Sequence, residues 1–115
     1  MNTHWLEVPQ QQRVDVVGAL TAETKDLWLG LHGYGQLAEF FSRHFRDLAN
    51  AHRAFVFPQG PHKFYLEGMH GRVGASWMTK EDRLIDIQNQ WEYLNEVLRW
   101  SMAAAPNARL HFVGF

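Results

Sequence analysis

The sequence predicts an α/β fold, a mostly parallel sheet flanked by helices, and three observations carry that prediction. Short apolar runs at Leu27–Leu31, Ala54–Phe57 and Leu110–Val113 suit strands covered on both faces, as in a parallel sheet. Between them lie two segments with apolar residues at helical spacing. The order strand, helix, strand, helix, strand is that of successive βαβ units, in which a right-handed crossover is expected.

The elements follow in chain order. Arg13 to Leu20 alternates, with Val14 and Val16 apolar and Arg13 and Asp15 polar, which predicts a half-exposed strand near a sheet edge. Thr21 to Lys25 is a polar turn, and Leu27–Leu31 is the first buried strand. His32-Gly33-Tyr34-Gly35 breaks that run. From Gln36 a helix is predicted, its apolar stripe formed by Leu37, Phe40, Phe41, Phe45 and Leu48. Glu39 and Arg43 form an i,i+4 pair in the favourable acid-first order, and Asn50 is a plausible stop. Ala54–Phe57 is the second buried strand, ended by Pro58, which has no N–H to extend a ladder.

Pro58 to Thr79 shows no convincing periodicity and is expected to be a loop. At roughly 20 residues it exceeds the usual ~12–15 and suggests a functional segment. Thr79 to Asp82 resembles a capping box with Asp in place of the usual Glu. Leu84, Ile87, Trp91, Leu94, Leu98 and Met102 then predict the buried face of a long helix, which Pro106 and Asn107 end. Arg109 to Phe115 is the third strand of the parallel set.

Composition narrows the function classes. A chain of 115 residues suffices for one small domain, and 46% hydrophobic with 20% charged residues is the balance of a folded soluble protein. The net charge of -1, from 11 basic and 12 acidic residues, leaves no basic face for nucleic acid. No run approaches the ~18 apolar residues of a membrane span, so no stable membrane insertion is expected. The N-terminus lacks the pattern of a signal peptide, which makes cytoplasmic residence the default expectation. With no cysteine there are no disulfides, thiolate metal ligands or Cys nucleophile. The five Trp, eight Phe and three Tyr are read mainly as core filling.

Two places have the form of a chemical site. At His32–Gln36, Gly33 and Gly35 let the backbone turn sharply between a buried strand and a helix. Gly33-x-Gly35-x-x-Ala38 fits a dinucleotide-binding turn, but Phe57-Pro58-Gln59 stands where a ribose-binding acid is required. The same turn suits an oxyanion hole, in which a backbone N–H from a strand-to-helix loop stabilises charge developing on a carbonyl oxygen. A tight turn without a ligand is the third reading. The other place is Val113-Gly114-Phe115, which supplies a strand, the first glycine and the next residue of a G-x-S-x-G nucleophile elbow. Such an apolar parallel strand normally has neighbours on both sides, so the chain is expected to be cut one residue before a serine.

Leu29-Gly-Leu-His-Gly-Tyr-Gly35, Phe57-Pro-Gln-Gly-Pro61, Ser76-Trp77 and Leu110-His-Phe-Val-Gly-Phe115, taken in this order, resemble the phospholipase/carboxylesterase family, which includes acyl-protein thioesterase-like enzymes. The resemblance runs from about Asp26 to Phe115 and implies the N-terminal half of an α/β-hydrolase fold. It also implies that Ser-x-Gly follows Phe115 and that the Ser, Asp and His of the triad all lie beyond it. The backbone N–H of Tyr34 then matches the oxyanion donor, flanked by Gly33 and Gly35, and Trp77 matches a Trp near the acyl pocket. Gln36 stands where the family commonly has Asp, and Met78-Thr79 where it has an aromatic and Asp, so the substrate is less defined than the reaction.

The remaining tempting residues read more plainly. None of the seven histidines forms H-E-x-x-H or an i,i+4 pair on a helix, so no metal site is predicted, and His32 reads as a brace for its turn. Ser76 has Gly74 before it but lacks the second glycine of an elbow; Ser42 and Ser101 sit in helical patterns. Phe64, Tyr65 and Met69 line an acyl pocket or pack the long segment down, and Trp91 and Trp100 read as packing residues. The expected function is that of a serine esterase or thioesterase acting through an acyl-enzyme on a small ester or acyl substrate, without a cofactor. A nucleotide-dependent oxidoreductase domain and a non-catalytic interaction module are the alternatives, and a homo-oligomer stays open.

Overall fold

In chain order the computed structural model, which describes residues 1–115, contains β1 (Val14–Val17), β2 (Asp26–Leu31), the short helix α1 (Ala38–Ser42), a 3-10 segment (Arg43–Leu48), β3 (Arg53–Pro58), β4 (His62–Glu67), β5 (His70–Ser76), α2 (Arg83–Ala104) and β6 (Arg109–Gly114). The apolar runs pair as a four-stranded sheet in the order β1-β3-β2-β6. β2 is parallel to both of its neighbours, while β1 closes one edge antiparallel to β3.

Strand alternation sends β2 side chains to two separate cores. On one face Leu27 and Leu29 pack with Val56 and with Val97 of α2. On the other, Phe55 and Phe57 meet Ala38 and Phe41 of α1, with Trp28 and Phe45 at the margin. Rings of Phe41, Phe45 and Phe55 lie 5.8, 5.4 and 6.1 Å from Phe57, an aromatic cluster in which each buried ring is worth about 1.5–3 kcal/mol. The architecture is therefore α/β, a mixed sheet with helical segments on both faces. No helix is long and apolar enough to cross a membrane.

Four expectations about local structure are corrected. The segment between Pro58 and Thr79 is not a loop: β4 and β5 form an antiparallel hairpin, paired from His62↔Ser76 to Glu67↔His70. Gly68, at φ 74, fills the first position of its two-residue turn, where only glycine is free of strain. The helix after Gln36 is a single α turn that tightens into 3-10 geometry, so Phe40 and Leu48 stay exposed while Phe41 is buried. Thr79 does not cap α2; Asp82 precedes the helix in the left-handed region, with no side-chain cap, and Thr79 Oγ1 accepts from the Glu81 N–H instead.

The fourth correction concerns α2. Its buried residues are Val97 and Ser101; of the expected stripe Leu94 and Leu98 are half-buried, Leu98 against the Leu27 and Leu29 core, whereas Leu84, Ile87, Trp91 and Met102 are exposed. The inward face carries Asp86, Gln90, Tyr93, Val97 and Ser101, also at helical spacing but mixed in polarity. Its polar members have partners: Ser101 Oγ donates to the Val97 carbonyl, Tyr93 Oη to the Gln59 carbonyl, and Asp86 faces His62 at 3.3 Å. A satisfied polar group can be buried at little net cost, which is why the most apolar stripe did not have to face the sheet.

Candidate active site

β2 leads to β3 on one side, and the chain later arrives at β6 on the other. This reversal makes a crevice beyond the carboxyl ends of β2 and β6, the place where open α/β sheets bind ligands. His32–Gln36 leaves β2 into that crevice. Leu31 pairs with Gly114, and the Phe115 N–H donates to the Leu31 carbonyl at 3.2 Å, so the Gly114-Phe115 end lies beside the turn. The Phe115 ring lies against Gly33, where an added Cβ would have no room.

The turn is held from three directions. The Gly33 N–H donates to Gln36 Oε1 at 2.6 Å, and the Gln36 N–H returns to the Gly33 carbonyl at 3.1 Å. Gly35, at φ 77, donates its N–H to the Ala75 carbonyl of β5 at 2.9 Å, and Ala75 donates back to the Gln36 carbonyl at 3.0 Å. Gly74 has no side chain because the Gly35 backbone occupies that space. Of the four amides from Gly33 to Gln36, only that of Tyr34 has no protein acceptor.

His32 is buried beneath the turn. Its Nδ1 contacts the Gly33 carbonyl at 2.8 Å, and its Nε2 accepts from the Gly60 N–H at 2.9 Å. That pair of contacts assigns the neutral tautomer with the proton on Nδ1. Burial pushes its pKa below the ordinary value, against a smaller opposing effect of the Gly33 carbonyl. His32 is thus a brace, as its residue type and position suggested.

Trp77 stands over His32 with ring centroids 5.1 Å apart, and its indole N–H donates to the His32 carbonyl at 2.9 Å. Gln90 of α2 in turn donates to the Trp77 carbonyl, and Tyr93, whose hydroxyl burial pushes up to about 12, secures Gln59. Trp77, Gln90, Leu94, His32 and Phe115 line a cavity of about 260 Å³ at the crevice. Trp77 is thus joined to the start of the turn at the His32 carbonyl, whereas Gly33, Tyr34 and Gly35 do not line the cavity. Phe64 packs on Tyr34 at 5.2 Å, whereas Tyr65 and Met69 project into solvent from the hairpin and line no part of the cavity. Ser76 is buried and its Oγ has no partner, which suits neither an exposed nucleophile nor an elbow.

Gln36 as a clamp, Gln90 as a support, and Gly74-Ala75 as the wall behind Gly35 are not evident from the sequence. Only the first left a local signal, an amide side chain three residues after a glycine.

A larger cavity of about 450 Å³ lies on the opposite face, over Trp28, Phe45, Phe55 and His111. Asp26 and Arg53 on its wall begin β2 and β3, so it belongs to the amino ends of the parallel strands. Its carboxylate is already engaged: His111 Nε2 lies 2.8 Å from Asp26, and Arg109 3.2 Å, and the His111 contact is the main reason the Asp26 pKa is lowered. No group of three or more His, Cys, Asp or Glu side chains is placed to hold a metal ion. Comparison with known protein families and with curated proteins finds no match to this chain.

Proposed function

We propose that this chain carries the oxyanion side of a serine-dependent carboxylic ester or thioester hydrolase of carboxylesterase or lysophospholipase type. The observation that carries the reading is the unpartnered Tyr34 N–H at the carboxyl end of the central strand, beside the Gly114-Phe115 end of β6. A donor from a strand-to-helix loop and a donor just after the nucleophile must converge on one oxygen. A serine following Phe115 would stand next to the Tyr34 turn.

In that reading a histidine takes the serine proton as the serine oxygen attacks the acyl carbonyl. The Tyr34 N–H and the amide after the serine hold the resulting oxyanion. Collapse expels the alcohol or thiol, which takes the proton back from histidine, and leaves the acyl-enzyme. Water, deprotonated by the same histidine, then releases the acid. The chain itself provides the loop donor and one wall of the acyl site, with Trp77 and Leu94 as its apolar surface. Residues 1–115 alone are expected to be inactive.

The same geometry weighs against a nucleotide site. A pyrophosphate needs free glycine amides at the start of a helix, yet the Gly33 and Gly35 amides are both engaged and α1 is only five residues long. Labelling tests the hydrolase reading: the folded natural full-length protein is expected to react with an active-site fluorophosphonate at a single serine. Failure to label under conditions where a known serine esterase does so rejects it.

A further inference from the structure

We propose that Gln36 is a positioning residue that fixes the Gly33–Tyr34 peptide and leaves Tyr34 the single free donor of the turn. The inference rests on the hydrolase reading, but its structural half is independent of it. Because a peptide unit is planar and trans, the Gly33 C=O and the Tyr34 N–H point in opposite directions and turn together. The Gly33 carbonyl is held by two donors, the Gln36 N–H at 3.1 Å and His32 Nδ1 at 2.8 Å. Anchoring that oxygen against the turn sends the Tyr34 N–H away from it, free of every protein acceptor.

The Gln36 side chain secures the other end of Gly33. Gly33 is buried beneath the Phe115 ring, so its N–H needs a protein acceptor, and Gln36 Oε1 supplies one at 2.6 Å. Without it, the buried N–H would be orphaned and the turn would twist to satisfy it, carrying the Tyr34 peptide along.

The choice of amide over carboxylate has a consequence. A glutamate carboxylate, of the same length as Gln36, would accept the Gly33 N–H in a charge-assisted bond, but would place a negative charge near the oxygen that becomes an oxyanion; an aspartate is one methylene shorter. Gln36 does the clamping without that charge.

The test combines amide exchange with kinetics on the natural full-length protein, using a p-nitrophenyl ester. The Gly33 N–H is expected to be protected and the Tyr34 N–H fast-exchanging in the wild type. Gln36→Leu should expose Gly33 to exchange and lower kcat by about 10–100-fold, less than the about 100–1000-fold cost of removing an oxyanion donor outright, with KM changed less than about threefold. Gln36→Glu should restore Gly33 protection yet recover kcat only in part, a split that a merely structural role does not produce. If Gln36→Leu does not fold, Gln36→Asn, one methylene too short to reach, gives the same readout. An active wild type with unchanged kcat in the folded variants overturns the positioning role alone. A wild type that hydrolyses no ester overturns the hydrolase reading as well, while Gly33 protection still reports whether the clamp exists. Unprotected Gly33 in the wild type removes the clamp outright.

Discussion

The His32–Gln36 turn and the outer flank made by α2 and β6 border the same cavity but are finished to different degrees. In the turn, three of four successive amides have acceptors, the histidine uses both ring nitrogens, Gly33 lies against the Phe115 ring, and Gly35 holds a positive φ of 77. On the flank, Leu84, Trp91, Phe112 and Phe115 are 74%, 69%, 59% and 88% exposed, and β6 has no neighbour on its outer side. Large apolar side chains are thus open to water beside an open strand edge. The turn is closed by its own hydrogen bonds and packing, whereas the flank leaves large apolar side chains in water.

Removing the packing beneath the turn should have the largest effect. Phe57 is fully buried, its ring fills the space where a side chain on Gly30 would go, and it joins the rings of Phe41, Phe45 and Phe55. Phe57→Ala is expected to cost about 3–5 kcal/mol in denaturant unfolding, as buried Phe-to-Ala changes do. A loss below 1 kcal/mol would mean that the sheet under the turn is not packed as described.

Gly74→Ala comes next. The new Cβ would meet the Gly35 carbonyl, which is backbone and cannot rotate aside, so β5 and the turn must separate. Overpacking of this kind costs about 1–3 kcal/mol. Thermal unfolding should fall accordingly, and the Gly35 N–H should lose exchange protection. Alanine at exposed Gly68 meets nothing within 4 Å, though its φ of 74 still carries strain, which makes it a control for backbone conformation without crowding.

A third prediction uses pH. Folding lowers the His32 pKa, chiefly by burial, so the unfolded chain binds a proton at this site more readily than the folded one. Stability from this group is complete above the unfolded value of about 6.5 and is lost as pH falls below it toward the lower folded value. Protonation also puts a hydrogen on Nε2, where the ring accepts the Gly60 N–H. Unfolding free energy measured from pH 8 to pH 5 should decline on the acid side, and His32→Gln should remove part of that slope. An unchanged slope would show that His32 is not held neutral.

How far each region was legible follows the same division. The buried strands were readable because Leu27–Leu31 and Ala54–Phe57 are apolar without interruption, a signal local to each segment. The turn was readable in outline, since a glycine pair after such a strand has few uses. Its working parts were not: Gly74 is glycine because of Gly35, a contact far away in sequence, and Gln36 looked only like a departure from a familiar pattern. The hairpin was hidden because β5 replaces strand-forming residues with Gly71 and Gly74, the latter required by that same packing. Periodicity found the apolar stripe of α2 but could not say which neighbour it faces, and Tyr93 and Ser101 went inward with their hydrogen bonds made.

The exposed part of that stripe gives the smallest expected effect. Trp91 projects from α2 at 69% exposure and has no aromatic or hydrogen-bonding partner. For residues 1–115 alone, Trp91→Ala should change stability by no more than about 0.5 kcal/mol, as substitutions of exposed side chains do. It should also reduce the fluorescence of a bound hydrophobic dye, because the ring is part of the apolar surface open to water. In any longer protein that contains this chain, the outcome depends on whether that surface is covered. A cost of about 3 kcal/mol or more, typical of a buried Trp, would show that Trp91 lies in a packed interface there. The same small cost in both settings would make the flank an ordinary, if unusually apolar, outer surface, and the turn would then be no more self-sufficient than the side opposite it.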